Sequence, residues 1–275
     1  KEDHSMILFP PAKINLGLQI IAKRSDGYHN LQTVFYQFPL KDVLEIIEDN
    51  SLESGECVFK STGLSIPDGE NLCVKAYRLL NEKHPLPGVR VYLHKIIPMG
   101  AGLGGGSSDA VYVLKSLNIL FDLKISTDKL KEYALILGSD CPLFVNESPQ
   151  YAEGRGGVLS GVNVDLKGKY LLLIHPNIHI STAEAFANVF PKESNSCKAI
   201  VEKNIRSWKT DLVNDFERSV FPNYPELADI KEKLYSLGAD YAAMSGSGST
   251  MFGIFSNPIS HDDWPEHYFV WQSAL

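Results

Sequence analysis

Long hydrophobic runs are missing from this 275-residue chain. The longest, such as Tyr170-Leu171-Leu172-Leu173-Ile174, have the length of a strand and fall far short of the ~20 residues that a membrane helix needs, so no membrane partner is expected. No secretory leader is visible either. The 4 cysteines, Cys57, Cys73, Cys141 and Cys197, are scattered without metal-ligand or redox spacing, and read as reduced packing thiols of a cytoplasmic protein, with neither disulfide nor zinc. Basic charge is also short: 26 Lys and Arg against 33 Asp and Glu leave a net charge of −7, which argues against a nucleic-acid partner. An anionic small molecule is still compatible, because charges beyond a Debye length of about 8 Å are screened and local lysines decide.

What is present is a globular composition, 44% hydrophobic and 21% charged, in a chain long enough for one large domain or two ordinary ones. It also holds one unusual stretch, Pro98-Met99-Gly100-Ala101-Gly102-Leu103-Gly104-Gly105-Gly106-Ser107-Ser108-Asp109-Ala110. Apolar residues at helical spacing follow it as far as Leu120, with Ser107 or Ser108 expected as N-cap. Free amide groups and the positive end of a helix dipole converge there, which suits a phosphate. A P-loop is excluded because no lysine follows the glycines. Gly100, Gly102 and Gly105 do spell a dinucleotide fingerprint, but that motif wants a strand after the helix, whereas Ser126 to Leu137 reads as a second helix. A kinase loop carrying its own serines fits, and a purely structural glycine turn is the plain alternative.

Lys1 to Ser5 is polar and unpatterned and sets no constraint. From Met6 to Ala22 apolar residues alternate with small or polar ones, as in one half-buried strand, which places Lys13 and Asn15 on one face. On that spacing alone both could simply face solvent. Asp26-Gly27 signals a turn into a strand from Leu31 to Leu40; the tip exposes Lys23, Arg24, Tyr28 and His29, either an ordinary charged hairpin or a platform for a flat anionic ligand. Asp42 to Glu48, Cys57 to Lys60 and Val89 to Ile97 read as strands, and Asn71 to Lys83 as a helix capped by Asn71. Pro142 biases Cys141 to an extended conformation, so Asp140 is expected in a loop, as a functional carboxylate or an Asx-turn. Tyr151 to Gly157 looks like a flexible joint near a domain boundary, with domains expected at 1–154 and 155–275. Beyond it come a strand from Tyr170 to His175, helices from about Ala183 to Val189, Ala199 to Ser207 and Pro225 to Leu237, and strands from Tyr241 and Thr250 around a second glycine loop, Met244 to Thr250.

Together Pro11-Ala12-Lys13-Ile14-Asn15-Leu16, Lys23-Arg24-x-Asp26-Gly27-Tyr28-His29, the loop from Pro98 to Ala110, Gly138-x-Asp140-x-Pro142 and the second glycine loop resemble the GHMP kinase superfamily, and within it the branch that phosphorylates a cytidine diphosphate-linked methylerythritol. The resemblance runs from Pro11 to about Gly253 and implies an α+β fold of two domains with ATP and substrate in the interdomain cleft. It implies transfer of the ATP γ-phosphoryl group to the substrate 2-hydroxyl, with Asp140 as base and Lys13 as its partner. By the same resemblance Gly100 to Ser108 wrap the ATP phosphates, Asn71 and Lys95 lie near adenine, Tyr28, Phe35 and Phe186 sandwich cytosine, His29 reads its polar edge, and Asn15 and Thr182 contact substrate. Mg²⁺ is expected with ATP, held by phosphates and water, since no carboxylate cluster suggests a protein cage. A monomer or weak homodimer is expected. A mevalonate- or homoserine-type kinase would share the glycine loop without needing Tyr28-His29; a nucleotide sensor would lack Lys13 or Asp140; a dinucleotide oxidoreductase would bind NAD(P). Gly157 stands where many relatives carry an acid, and Ser194 to Ser207 matches little.

Overall fold

The computed structural model describes residues 4–67, 69, 71–192, 196–260 and 263–275. In chain order the strands are β1 Ser5–Leu8, β2 Pro11–Lys23, β3 His29–Lys41, β4 Val43–Glu48, β5 Cys57–Gly63, β6 Val89–Lys95, β7 Gln150–Gly154, β8 Val158–Gly161, β9 Tyr170–His175, β10 Tyr241–Met244, β11 Met251–Phe255 and β12 Phe269–Ala274. The helices are α1 Leu72–Asn81, α2 Gly105–Leu120, α3 Thr127–Leu137, α4 Thr182–Ala187, α5 Cys197–Val201, α6 Trp208–Asp211, α7 Phe216–Val220 and α8 Pro225–Ser236. This mixture is the α+β class expected. By contact the chain divides into two units that interleave in sequence: 1–12, 40–99 and 104–147 form the first, and 13–39, 100–103 and 148–275 the second.

In the first unit the sheet runs β1-β4-β6-β5, with β5 parallel to β6 and the other pairs antiparallel. Strand β6 alternates cleanly: Val89, Val91, Leu93 and Lys95 are buried on one face. Helix α2 packs on β1 and β4, α1 packs on β5, and both meet α3. Because α2 is covered this way, its residues from Ala110 to Leu114 are all buried, so its apolar pattern is continuous rather than striped. Ser126 caps α3 by accepting from the Lys129 N–H at 3.3 Å, and Asn71 caps α1 by accepting from Cys73 at 2.7 Å.

The second unit holds two sheets, β2-β3-β7-β8 and β10-β11-β9-β12. Its core gathers Leu18, Ile20, Leu172, Ile174, Phe216, Leu227, Ile230, Met244, Met251 and Phe255. Helix α8 closes over β10 and β11.

Several expectations need correction. The single strand from Met6 to Ala22 is broken at Phe9-Pro10 into β1 and β2, which join different sheets; neither Pro10 nor Pro11 has an N–H to continue a ladder. The segment after Asp140 is not extended but a short 3₁₀ turn, Cys141–Val145, with Pro142 in its first turn, where a missing N–H costs nothing. Tyr151 to Gly157 is the hairpin of β7 and β8 rather than a joint. Strand β12, beyond the recognised motifs, pairs antiparallel with β9 from Phe269 opposite His175. Of the poorly matching stretch, Ser194 and Asn195 lie outside the described residues, and the helix expected from Ala199 to Ser207 is instead two short pieces, α5 and a 3₁₀ turn, Ile205–Ser207.

Candidate active site

Strand β2 sets the first group of side chains. Residues two apart on a strand share a face, and Lys13 and Asn15 do so inside the second unit, both buried rather than facing solvent, with Lys13 3% exposed. The Lys13 ammonium donates to Asn15 Oδ1 at 2.6 Å and to the Gly102 carbonyl at 2.8 Å, and lies 5.4 Å from the centre of the Phe35 ring. Asn15 in turn donates to Thr33 Oγ1 at 3.0 Å, and Thr33 donates to the Gly17 carbonyl at 2.5 Å. A chain of hydrogen bonds therefore fixes the ammonium from beneath, and these acceptors help offset the cost of burying it.

The glycine loop contributes Gly100 to Leu103 to this unit. Gly102 takes φ +79°, and a Cβ there would run into the Ser245 carbonyl of the second glycine loop. Around it Ser245 Oγ donates to the Gly102 carbonyl at 2.9 Å, the Thr250 N–H to Ala101 at 3.2 Å, and the Lys13 N–H to Leu103 at 3.0 Å. The second glycine loop, which connects β10 to β11, is thus more than a hairpin turn: it is the surface on which the first loop rests. Asn214 holds it by donating to the carbonyls of Met244 and Gly246, each at 2.8 Å.

In the first unit the loop continues through Gly104, at φ +71°, into α2. Gly104 itself is the N-cap and makes no side-chain capping bond, so the expected serine caps are displaced: Ser107 and Ser108 lie in the first helical turn. Without a side-chain cap the first-turn amides are available to an anion. Ser107 instead bonds to the Cys141 thiol, and the Ser108 hydroxyl is buried without a partner. Cys141 is buried with its thiol pushed up to about 11, mainly by burial, so it is a packing residue and not a nucleophile at neutral pH. Asp140 leads into the 3₁₀ turn, half-buried, with the Ser139 hydroxyl 3.5 Å from its Oδ1.

The aromatic positions separate. Tyr28 is 54% exposed at the β2–β3 turn, closed by the Arg24 N–H on the Tyr28 carbonyl at 2.8 Å, and the Arg155 guanidinium lies 3.7 Å from its ring centre. His29 stacks on Phe186, with centroids 4.9 Å apart and planes at 19°, and Phe186 meets Phe216 edge-on. Phe35 is buried beneath the Lys13 ammonium. Thr182 is exposed at the first position of α4, where Ser181 makes the cap. Lys95 has its whole side chain in the core of the first unit, tied to Asp42 and Asp109. Sequence reasoning missed Asp42, Thr33, Ser245, Asn214 and Arg155 as partners of site residues; only the phase of Lys95 with Val89, Val91 and Leu93 could have signalled that its ammonium points inward.

Among the described residues no group of three or more His, Cys, Asp or Glu could hold a metal ion, and no helix is long and apolar enough to cross a membrane. The donor set around the glycine loop, backbone amides and hydroxyls, suits a Mg²⁺ ion that arrives on phosphate oxygens rather than one resident in the protein.

Comparison with known proteins identifies the family. The GHMP kinases N terminal domain matches residues 71–147 and the GHMP kinases C terminal domain residues 197–262. The chain is 52% identical to the 4-diphosphocytidyl-2-C-methyl-D-erythritol kinase of Bacteroides fragilis, over 98% of this chain and 100% of that protein. It is 50% identical to the kinase of the same name from Cytophaga hutchinsonii, over 91% and 93%. A crystal structure of 4-(cytidine 5'-diphospho)-2C-methyl-D-erythritol kinase superposes with a TM-score of 0.76 at 34% identity, covering 90% of each chain. A homoserine kinase from Cytophaga hutchinsonii, at 18% identity and a TM-score of 0.66 over 93% of this chain and 86% of that one, shares the fold. Identity of one half sustained from end to end leaves one assignment: the chain is an ATP-dependent kinase of the GHMP superfamily and belongs to its 4-diphosphocytidyl-2-C-methyl-D-erythritol kinase family.

Proposed function

We propose that the chain transfers the γ-phosphoryl group of ATP to the 2-hydroxyl of 4-diphosphocytidyl-2-C-methyl-D-erythritol, giving the 2-phosphate and ADP, in the non-mevalonate route to isoprenoids. The observation that carries this reading is the Lys13 ammonium held 2.8 Å from the glycine-loop carbonyl of Gly102. A lysine built into the phosphate loop from a strand is poised for charge on a moving phosphoryl group, and phosphoryl transfer is catalysed mainly by positioning and electrostatics. Asp140 takes the proton of the attacking hydroxyl, a poor nucleophile until it is deprotonated. Gly100 to Ser108 bind the ATP phosphates through backbone N–H groups, and Asn71 lies toward the adenine. Mg²⁺ accompanies the nucleotide and neutralises phosphate charge.

Substrate choice rests on the aromatic group. Tyr28 presents an exposed ring and Phe186 a ring already stacked on His29, both suited to a flat base, and Asn15 and Thr182 are, by the resemblance, further substrate contacts. The names of the relatives support the cytidine compound as acceptor. The test is ADP release from Mg·ATP with the cytidine compound, mevalonate and homoserine offered separately. Release with the cytidine compound alone is expected; release with another acceptor would end the Tyr28-His29 argument while leaving a kinase.

A further inference from the structure

We propose that Asp42, Lys95 and Asp109 form a buried clamp that ties together the two ends of the glycine loop and sets how tightly that loop holds nucleotide phosphates. The proposal rests on the assignment of the loop to ATP. Asp42 Oδ1 accepts the N–H groups of Ile96 at 2.5 Å and Ile97 at 2.9 Å, the residues that enter the loop. Its Oδ2 accepts from the Lys95 ammonium, which reaches on to Asp109 Oδ2 at 2.8 Å. Asp109 lies in the opening turns of α2, where the loop ends. Between them Gly105 is tightly enclosed: a Cβ there would be 2.8 Å from the Lys95 ammonium and 2.9 Å from Ile97.

Both side chains of the Lys95–Asp109 pair are almost completely buried, as is Asp42. Each buried ion costs several kcal/mol of desolvation, and apolar residues of the same volume often stabilise a core as well, so stability alone is a weak reason for three ionisable groups here. Direction is what they add. Glycines have no side chains with which to anchor a loop, and an unanchored loop loses more conformational freedom when a ligand orders it. Burial and the neighbouring Asp42 carboxylate push the Asp109 carboxyl up, against the pull of Lys95, while the two carboxyls outweigh burial and hold Lys95 protonated. These three are positioning residues, acting on the nucleotide through the loop.

The test is equilibrium binding of ATP, ADP and adenosine to the intact chain and to Asp109→Asn, which keeps the shape of the side chain and removes its acidic partner role. Lys95→Met/Asp109→Leu, which replaces the pair by apolar groups, is the second variant. The expected result is a loss of tenfold or more in affinity for ATP and ADP, with adenosine changed less than twofold. An equal loss for all three ligands, or a lowered melting temperature with unchanged ATP affinity, would overturn the clamp. Failure of both variants to fold would do so as well, making the triad a stability element only. Gly104→Ala, which forces a side chain into positive φ, separates the two readings: ATP binding weakened by Gly104→Ala but not by Asp109→Asn removes the clamp alone, and weakened by neither removes the loop assignment itself.

Discussion

The Lys13 ammonium and the Gly102 carbonyl are 2.8 Å apart, although 89 residues separate them in sequence. That bond joins a strand to the glycine loop, and Ser245 shares the same carbonyl at 2.9 Å. Lys13→Met should therefore leave the loop docked through Ser245 while removing the cation. The Asn15 oxygen loses its donor, at about 1 to 3 kcal/mol of stability. A fall in kcat of at least a hundredfold is expected with the ATP KM changed much less, and steady-state kinetics that show the reverse split would remove Lys13 from the chemistry.

Asp140→Asn keeps the shape of the side chain proposed as the base and removes its basicity. General-base catalysis contributes roughly 10² to 10⁴ in rate, so turnover should collapse while ATP affinity persists. A variant retaining more than about a tenth of wild-type kcat, a barrier change of only ~1.4 kcal/mol, would take the role away from Asp140.

Gly102→Ala asks a residue with a Cβ to hold φ +79° against the Ser245 carbonyl. Left-handed backbone costs about 1 to 2 kcal/mol for an L-residue, and the clash adds to it. Urea unfolding should register the loss, and the ATP KM should rise with it. Wild-type stability and KM would show that the two glycine loops do not need this close approach.

Tyr28→Ala should weaken the cytidine compound by about 1 to 3 kcal/mol, the worth of one base stacked on an aromatic ring. ATP should bind as before. Calorimetric titration with unchanged affinity for the cytidine compound would refute the stacking role.

His175 gives a pH prediction. It is 5% exposed, and burial pushes its pKa down from 6.5 to about 4. Ser249 Oγ donates to the Ile178 carbonyl and lies 3.2 Å from His175 Nδ1, so the neutral ring carries its proton on Nδ1. Between pH 6.5 and 4 the unfolded chain binds a proton that the folded chain refuses, so stability is fully present above 6.5 and declines as pH falls through that window. The loss approaches about 3 kcal/mol. Replacement by Gln should remove this part of the slope in urea unfolding at pH 7 and 4.5; identical slopes in the two proteins would show that His175 charges freely in the fold.

Much of this was readable from residue order, because the signals are local. A run of glycines before a helical pattern, an Asp-Gly turn, and Asn71 as a cap each depend on a few neighbouring residues, and each forms as expected. The break at Phe9-Pro10 and the helical turn at Pro142 were misread because proline allows two outcomes, an end or a beginning, and only the surrounding packing selects between them.

Residue order alone determined the loop, its helix, and the shared face of Lys13 and Asn15, since backbone periodicity is a property of the chain. The fold decided the partners. Lys95, Asp42 and Asp109 come from three separate segments, and Lys13 meets Gly102 only when a strand and a loop are packed together. Burial removes water from such groups and obliges each charge to find a partner, and that requirement is written in three dimensions rather than along the chain.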